Sequence, residues 1–205
     1  LSVGSVAGLA AVVAAMAVNN YGLVVGVLAG LAVGVASGSL SGSLVAFLKV
    51  PSFLVTLGML GMLVGIARWI TDSAPVPISN QAFITIFGGG NVGPIPSLMI
   101  WVVVATALAA LVMNKGTFGR HVRATGGNVV AAAYSGVNTL RIKFTVLLMS
   151  GVAASIAGML YAGRLQSGRF QWGTGDELSV IAAVILGGTS LFGGRGAVIG
   201  SVFGA

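Results

Sequence analysis

The chain has 205 residues, of which 57% are hydrophobic and 6% are charged, and its mean hydropathy is +1.06. An ordinary soluble domain carries about 25% charged residues, so this composition excludes a soluble globular fold. The net charge of +7 could indicate a nucleic-acid-binding protein, but the cations flank apolar runs instead of forming a soluble basic face, so we expect no nucleic-acid partner.

Six apolar stretches follow one another along the chain, and a helix that crosses a bilayer needs about 20 mainly apolar residues. The stretches cover residues 1–18, 22–48, 52–70, 97–113, 142–163 and 178–205. This pattern predicts an all-α fold, a polytopic transmembrane helix bundle. Because the chain has no initiator Met and both of its ends lie inside apolar runs, we expect a fragment truncated at both ends.

Positive charge is concentrated in one connection between these stretches. Five of the ten Lys and Arg residues lie between Lys115 and Lys143, where there is no Asp or Glu. Lys and Arg are enriched in cytoplasmic loops of membrane proteins. We therefore expect the segment of about 114–141 to face the cytoplasm, together with Lys49. The connections predicted to face outside are 19–21, 71–96 and 164–177.

Glycine recurs at every fourth position of the second stretch, from Gly22 to Gly42. On a helix this spacing produces a stripe without side chains, which another backbone can approach closely, and such contacts drive helix association in lipid. We expect a Gly-rich packing face of the bundle. A stripe that lines a solute path is the alternative interpretation.

The last apolar stretch is interrupted by Gly187-Gly188 and by Gly193-Gly194-Arg195-Gly196. Each half is too short to cross a core about 30 Å thick. Backbone groups freed at the interruption must be buried in protein or face water. The sequence therefore predicts a broken or re-entrant C-terminal element, with a cytoplasmic hairpin between two tilted helices as the alternative.

Ionisable residues are nearly absent from the predicted spans. Asp72, Asp176 and Glu177 are at segment ends, and His121 is the single histidine. Ion-coupled transporters usually place such side chains inside their spans, so no means of coupling to an ion gradient is evident. One histidine and no cysteine support neither a metal site nor a catalytic triad. We expect no cofactor and no enzymatic activity.

Four short stretches resemble one known family. They are Leu1-Ser-Val-Gly-Ser5, Phe47-Leu-Lys-Val-Pro-Ser-Phe-Leu-Val-Thr-Leu-Gly58, Phe118-Gly-Arg with Gly126-Gly-Asn128, and Leu186-Gly-Gly-Thr-Ser190 with Gly193-Gly194. Together and in this order they resemble the permease (transmembrane) subunits of bacterial ATP-binding-cassette (ABC) sugar importers of the ribose/xylose-type monosaccharide group.

The resemblance implies a single transmembrane permease domain over residues 1–205, which moves a neutral pentose or hexose inward across the bacterial inner membrane. The implied partners are a second permease copy, identical or not, a cytoplasmic ABC ATPase subunit that hydrolyses ATP, and a periplasmic sugar-binding protein. An ion-coupled secondary transporter or channel is the alternative interpretation, and a membrane scaffold is a third.

In this family the basic segment would be a coupling loop that docks into a groove of the ATPase. The candidate residues are Gly119, Arg120, Arg123, Gly126, Gly127, Asn128, Ser135 and Gly136. One departure is that Val129-Val130 follow Asn128, where the family often has acidic residues. The positive charge of the loop is then unopposed, and the two valines are expected to pack apolar surface onto the partner.

Four residues are candidates for the substrate pathway because they combine an aromatic face with hydroxyl groups. They are Phe53 and Thr56 in the Val-Pro segment and Thr189 and Ser190 in the broken C-terminal element. The alternative interpretation of all four is core packing and local helix capping.

Overall fold

The structure is a computed structural model that describes residues 1–190 and 193–204, and for Val92 only its backbone. Leu191 and Phe192, which belong to the predicted interruption, and Ala205 lie outside the described residues. The chain is 76% helical and 3% strand, so the predicted all-α fold is confirmed.

The described residues form ten α-helices. They are α1 (Val3–Tyr21), α2 (Leu23–Ala46), α3 (Ser52–Thr71), α4 (Gln81–Ile84), α5 (Ser97–Ala110), α6 (Thr117–Gly127), α7 (Val129–Tyr134), α8 (Thr139–Leu165), α9 (Asp176–Leu186) and α10 (Val198–Phe203). A π-helical turn, Thr85–Gly89, follows α4, and another, Leu111–Lys115, extends α5. Four two-residue strands form two antiparallel pairs. β1 (Val76–Pro77) pairs with β4 (Ser167–Gly168), and β2 (Asn91–Val92) pairs with β3 (Ile95–Pro96).

Five helices are long and apolar enough to cross a membrane: α1, α2, α3, α5 with its π-helical extension, and α8. They coincide within a few residues with the first five predicted stretches. The predicted break at 19–21 is wrong in detail, because α1 continues through Tyr21 and only Gly22, with φ +88°, separates it from α2.

The chain divides into two compact units. The first contains residues 1–100 and 144–177, and the second contains residues 101–143 and 178–205. In the first unit α1 is the central helix, and most of its side chains are small and buried. Val6 and Leu9 of α1 form an apolar core with Ala154 of α8 and with one face of α3. That face consists of Val55, Met59, Leu63 and Ala67.

The glycine stripe of α2 is a packing face, as predicted. Its five members from Gly26 to Gly42 are all buried. A methyl group at Gly26 would meet Val18 of α1, whereas one at Gly34 would lie 2.6 Å from the carbonyl oxygen of Gly151 in α8. The stripe therefore lets α2 contact the backbones of two neighbouring helices.

Three connections predicted to share one side of the bilayer meet in the first unit. The side chain of Asn19 donates to the carbonyl oxygen of Pro77 at 2.7 Å and accepts from the amide of Ser79 at 3.2 Å. Strand β1 pairs with β4, which directly follows α8. Near the other end of these helices, the rings of Phe47 and Phe144 are 6.1 Å apart. Which end faces the cytoplasm stays a prediction.

The segment 164–177, one of the connections predicted to face outside, packs along α1. Gly168 lies against Ala11 and Ala15 of α1, and Gly173 lies against Gly4. Ala15 and Gly4 are eleven residues apart, so the segment runs roughly 16 Å along α1. Its turns are closed by backbone hydrogen bonds, and small residues on α1 make room for it. An irregular backbone segment therefore lies along α1 directly before α9.

Large apolar side chains are exposed on several helices. On α5 these are Met99, Ile100, Val102, Val103, Val104 and Leu108, and on α3 they include Phe53, Leu57, Met62 and Trp69. A helix that is apolar on all sides requires an apolar environment outside itself. This distribution is typical of helices that face lipid or another membrane subunit.

In the second unit, α9 and α10 pack against each other through glycine. A methyl group at Gly187 would collide with the backbone of Gly200, and one at Gly204 would collide with that of Ala183. The predicted interruption of the last stretch is present, since α9 ends at Leu186 and α10 begins at Val198. The described part of this element is therefore a pair of short helices on either side of a glycine-rich turn.

The packing face predicts a contrast between two glycines in helix interiors. Gly34→Ala should destabilise the subunit by about 1–3 kcal/mol through overpacking, because its methyl group would meet Ser155 and the backbone of Gly151. Gly61→Ala on α3 meets nothing within 4 Å and should be neutral or stabilise by up to about 1 kcal/mol through helix propensity. Thermal unfolding in detergent measures both, and equal shifts in Tm would contradict this account of the stripe.

Candidate functional site

The basic segment folds into two helices, α6 and α7, with Asn128 as the single residue between them. The side-chain oxygen of Asn128 accepts hydrogen bonds from the amides of Val130 and Ala131, each at 3.0 Å. This is an N-cap, which satisfies amides that would otherwise lack a partner at the start of α7. Asn128 therefore fixes the angle between the two helices.

Two of the predicted coupling residues hold α6 against the end of the preceding helix. Gly119 is buried, and a methyl group there would collide with the backbone of Met113. The guanidinium of Arg123 donates to the side-chain oxygen of Asn114 at 2.6 Å. These contacts give α6 a defined position relative to the C-terminal end of α5.

The surface of α6 and α7 is both cationic and apolar. Arg120 and His121 are exposed on α6. On α7 the exposed fractions are 39% for Val129, 63% for Val130 and 90% for Tyr134. The exposure that the sequence predicts for both valines is present. The surface can therefore offer charge and apolar area together to a partner.

Ser135 and Gly136 terminate α7. The hydroxyl of Ser135 donates to the carbonyl oxygen of Ala131 at 2.9 Å. Gly136 has φ +82°, a left-handed conformation that favours glycine, and its amide donates to the carbonyl oxygen of Ala133. In the described structure both residues have a capping role.

The C-terminal end of α6 contacts the glycine-rich turn between α9 and α10. A methyl group at Gly126 would lie 2.9 Å from the amide nitrogen of Gly194, and one at Gly193 would collide with the carbonyl oxygen of Gly126. Gly193 and Gly194 both have positive φ, near +80°. The two backbones thus touch directly, and nothing larger than glycine fits at the contact without displacement.

The two hydroxyl candidates of the C-terminal element lie in this turn. The hydroxyl of Thr189 is 3.3 Å from that of Ser201 and accepts from the amide of Ala197 at 3.3 Å. The amide of Ser190 donates to the carbonyl oxygen of Arg195. Thr189 and the Ser190 backbone therefore brace the turn, which matches the alternative interpretation of local capping.

The other two pathway candidates belong to the first unit and differ from each other. Phe53 is 61% exposed on α3. Thr56, one turn later, is half-buried and borders a cavity of about 100 Å³ between α1, α2, α3 and α8. Its hydroxyl donates to the carbonyl oxygen of Ser52 at 2.9 Å. Only Thr56 of this pair thus borders a described cavity.

Sequence reasoning missed two features of the site. Ser37 and Ser41 of α2 border the same cavity as Thr56; their four-residue spacing in register with the glycine stripe was the available signal. Asp176 accepts a hydrogen bond from the hydroxyl of Tyr161 at 2.6 Å, and Glu177 lies beside Gly4 of α1.

Among the described residues no cluster of His, Cys, Asp or Glu could hold a metal ion.

The sequence matches a known family and several related proteins. The family is described as branched-chain amino acid transport system / permease component, and it matches residues 1–205. The ribose import permease protein RbsC of Escherichia coli (strain K12) is 40% identical over 212 aligned residues, covering 100% of this chain and 65% of the relative.

Two further relatives are similar in the same way. The autoinducer 2 import system permease protein LsrC of Escherichia coli O9:H4 (strain HS) is 37% identical, covering 100% of this chain and 60% of the relative. The probable ABC transporter permease protein YphD of Escherichia coli (strain K12) is 40% identical over 76% of this chain and 47% of the relative. No solved structure matches the chain significantly.

The chain thus spans about half to two thirds of the length of these relatives. The resemblance found in the sequence motifs is confirmed, since relatives named as ribose and autoinducer 2 import permeases align over the whole chain. The structure has five helices long and apolar enough to cross a membrane, one of which, α5, is apolar on all sides. Since the family match also covers residues 1–205, the chain belongs to the family of branched-chain amino acid transport system permease components and is a multi-pass membrane protein.

Proposed function

We propose that this chain is the membrane-spanning part of the permease subunit of an ATP-driven importer, which moves a neutral monosaccharide into a bacterial cell across its inner membrane. A second permease copy would complete the pathway, a separate ATPase subunit would supply the energy, and a periplasmic binding protein would deliver the sugar. The family match over residues 1–205, with a ribose import permease among the relatives, supports this proposal most directly.

The charge distribution favours a neutral solute. The five spanning helices contain no Asp or Glu, and their Lys and Arg residues lie near helix ends. A zwitterionic amino acid needs partners for both of its charges when it leaves water. A neutral sugar carries no charge and needs only uncharged hydrogen-bond partners. Sugar is therefore favoured over the amino acid substrates that the family description names.

The surface of α6 and α7 suits docking to an ATPase subunit. Exposed cations and an exposed valine pair with Tyr134 are adjacent there, and the segment contains no acid that would neutralise the cations. An acidic groove with an apolar floor would complement this surface. The glycine contact of Gly126 with Gly193 and Gly194 then offers a short mechanical route from α6 to the turn between α9 and α10.

Transport by the whole assembly tests the function itself. Liposomes that contain the complete permease, its ATPase and the binding protein should accumulate D-ribose or another neutral monosaccharide only when ATP is present on the ATPase side, and should not accumulate L-leucine. Uptake by permease-only liposomes that follows a sodium or proton gradient would instead favour the ion-coupled alternative and contradict the proposal.

The orientation is testable because the chain has no cysteine. In an otherwise cysteine-free subunit, Thr117→Cys, exposed at the start of α6, should resist a membrane-impermeant maleimide in intact spheroplasts and react after lysis. Ser79→Cys, exposed in the connection predicted to face outside, is the matched control and should react before lysis. The reverse pattern would place the basic segment outside, where it could not reach an ATPase.

Reversal of charge on α6 tests the docking surface. Arg123→Glu combined with Gly127→Asp should lower co-purification of the ATPase at least tenfold, because two acids replace a cation and a neutral residue on the proposed docking surface. Arg169→Glu, in the segment that follows α8, is the matched charge reversal and should leave co-purification unchanged. Full ATPase recovery with the α6 variant, at normal membrane insertion, would show that the ATPase binds elsewhere.

A further inference from the structure

The segment that packs along α1 also forms a pocket with the turn that ends α3. The pocket has a volume of about 170 Å³, and its lining consists of Ser73, Ala74, Pro75, Arg169, Phe170 and Gln171. Since a water molecule occupies about 30 Å³ in the liquid, this is room for several waters or for one tetrahedral oxyanion. All six residues belong to the first unit, and none of them belongs to the surface of α6 and α7.

The turn after α3 places Ser73 beside the last turn of that helix. The amide of Ser73 donates to the carbonyl oxygen of Arg68 at 3.1 Å, and the amide of Ala74 donates to that of Thr71 at 2.8 Å. Ser73 has φ +63°, a left-handed conformation that is uncommon for serine. Because its side chain is exposed and lines the pocket, the hydroxyl can donate a proton to a bound acceptor.

Two arginines lie at this pocket, each over an aromatic ring. The guanidinium of Arg68 is 4.8 Å from the centre of the Phe170 ring, which lines the pocket. The guanidinium of Arg169, itself part of the lining, is 5.5 Å from the centre of the Trp172 ring. Contact with a ring face holds a guanidinium in position and leaves its N–H groups available to an anion.

No carboxylate of the first unit neutralises these two cations. Asp176 and Glu177 have other partners, a tyrosine hydroxyl and a backbone amide. Asp72 is exposed next to Ser73 but is not part of the pocket lining. Within residues 1–190 and 193–204 neither arginine forms an ion pair. Two arginines against one nearby aspartate therefore leave an excess of positive charge at the pocket.

The pocket lies at the level of lipid headgroups. Helix α3 is long and apolar enough to span a membrane and ends at Thr71, two residues before Ser73. The headgroup layer extends about 5–8 Å beyond the hydrocarbon core on each side. Trp69 is 82% exposed, and tryptophan is enriched at this boundary. Phospholipid phosphates lie in this layer in both leaflets, so they are within reach whichever end of α3 faces the cytoplasm.

Towards the middle of α3, a groove on the same face as Arg68 is open. Gly58, Gly61 and Gly65 precede Arg68 at the spacing that places residues on one face of a helix. A methyl group at any of the three glycines would meet nothing within 4 Å. The buried glycines of α2, by contrast, have close neighbours. A lipid whose phosphate is held near Arg68 can place an acyl chain in this groove.

We infer that this pocket binds the phosphate of an anionic phospholipid headgroup, held by the guanidiniums of Arg68 and Arg169 and the hydroxyl of Ser73. Guanidinium groups match phosphate oxygens and form charge-assisted hydrogen bonds with them. Clustered cations beside a spanning helix attract anionic lipids. A free inorganic anion would use the same donors but would gain nothing from the groove. The site is separate from the transport and docking roles proposed above, because its ligand comes from the membrane itself.

Native mass spectrometry of the complete permease subunit in detergent tests this site, with dioleoylphosphatidylglycerol as the probe. Arg68→Gln combined with Arg169→Gln should bind the lipid about tenfold more weakly than the wild type, because charge-assisted hydrogen bonds are lost. Arg164→Gln, which removes an exposed arginine near the end of α8 outside the lining, is the matched control and should bind like the wild type. Equal affinities of the double variant and the wild type would overturn the inference.

A second variant separates the lipid from other anions. Gly61→Leu keeps every charge and should weaken lipid binding about threefold or more, because the acyl chain would lose apolar contact with α3. A millimolar excess of sodium phosphate should not displace the bound lipid. Displacement by sodium phosphate would make the pocket a general anion site, and unchanged lipid binding by Gly61→Leu would leave the groove without a role. Either result contradicts the inference.

A conservative variant keeps the test decisive if the glutamine variant does not fold, which its Tm in detergent shows. Arg68→Lys combined with Arg169→Lys keeps both charges but loses the guanidinium geometry, so its affinity should fall between those of the wild type and the glutamine variant. Wild-type affinity of the lysine variant would contradict the assigned geometry. If the glutamine variant binds the lipid normally but no longer binds a periplasmic binding protein, the pocket is a protein-docking point and the inference is wrong.

Discussion

Close approach of backbones without intervening side chains is the constraint on which the first unit depends. Lipid offers helices no hydrophobic drive to associate, so contact distance and packing decide which helices stay together. Helix α1 meets this constraint with buried Gly and Ala residues on nearly every side. Its neighbours contribute Gly34 and Gly151, whose backbones touch between α2 and α8. Because these residues occupy so little volume, one helix can contact α2, α3, α8 and a non-helical segment at once.

The non-helical segment shows what this packing allows. Residues 166–175 follow α1 for roughly 16 Å because Gly168 and Gly173 approach its backbone. Irregular backbone at membrane depth is tolerated only where protein or water satisfies its polar groups. Here short turns do so, and the indole of Trp172 donates to the carbonyl oxygen of Ser167 at 2.8 Å. The first residues of α9 are held beside this segment. Asp176 accepts a hydrogen bond from the hydroxyl of Tyr161, and Glu177 lies beside Gly4 of α1.

Features that hydropathy and residue spacing determine can be predicted from the sequence. Features that depend on which neighbouring helix a segment contacts cannot. The first five spans, the glycine stripe and the interruption after Leu186 follow from apolar length and glycine period, and the structure contains them. The course of residues 166–175 does not follow, because polar residues in a turn-rich segment have the same composition whether they face water or a helix of small residues.

The second unit contains the same kind of backbone contact, here between a helix and a turn. Gly126 of α6 touches Gly193 and Gly194 directly, and both turn glycines hold positive φ. A contact between two backbones transmits displacement with little slack, because no side chain can change rotamer to absorb it. The N-cap of Asn128 and the contact of Gly119 with Met113 fix α6 on its other sides. Glycine is required at Gly126 and Gly193 because a methyl group at either would meet the backbone of the other segment. A displacement of α6 must therefore move the turn between α9 and α10 or break one of these contacts.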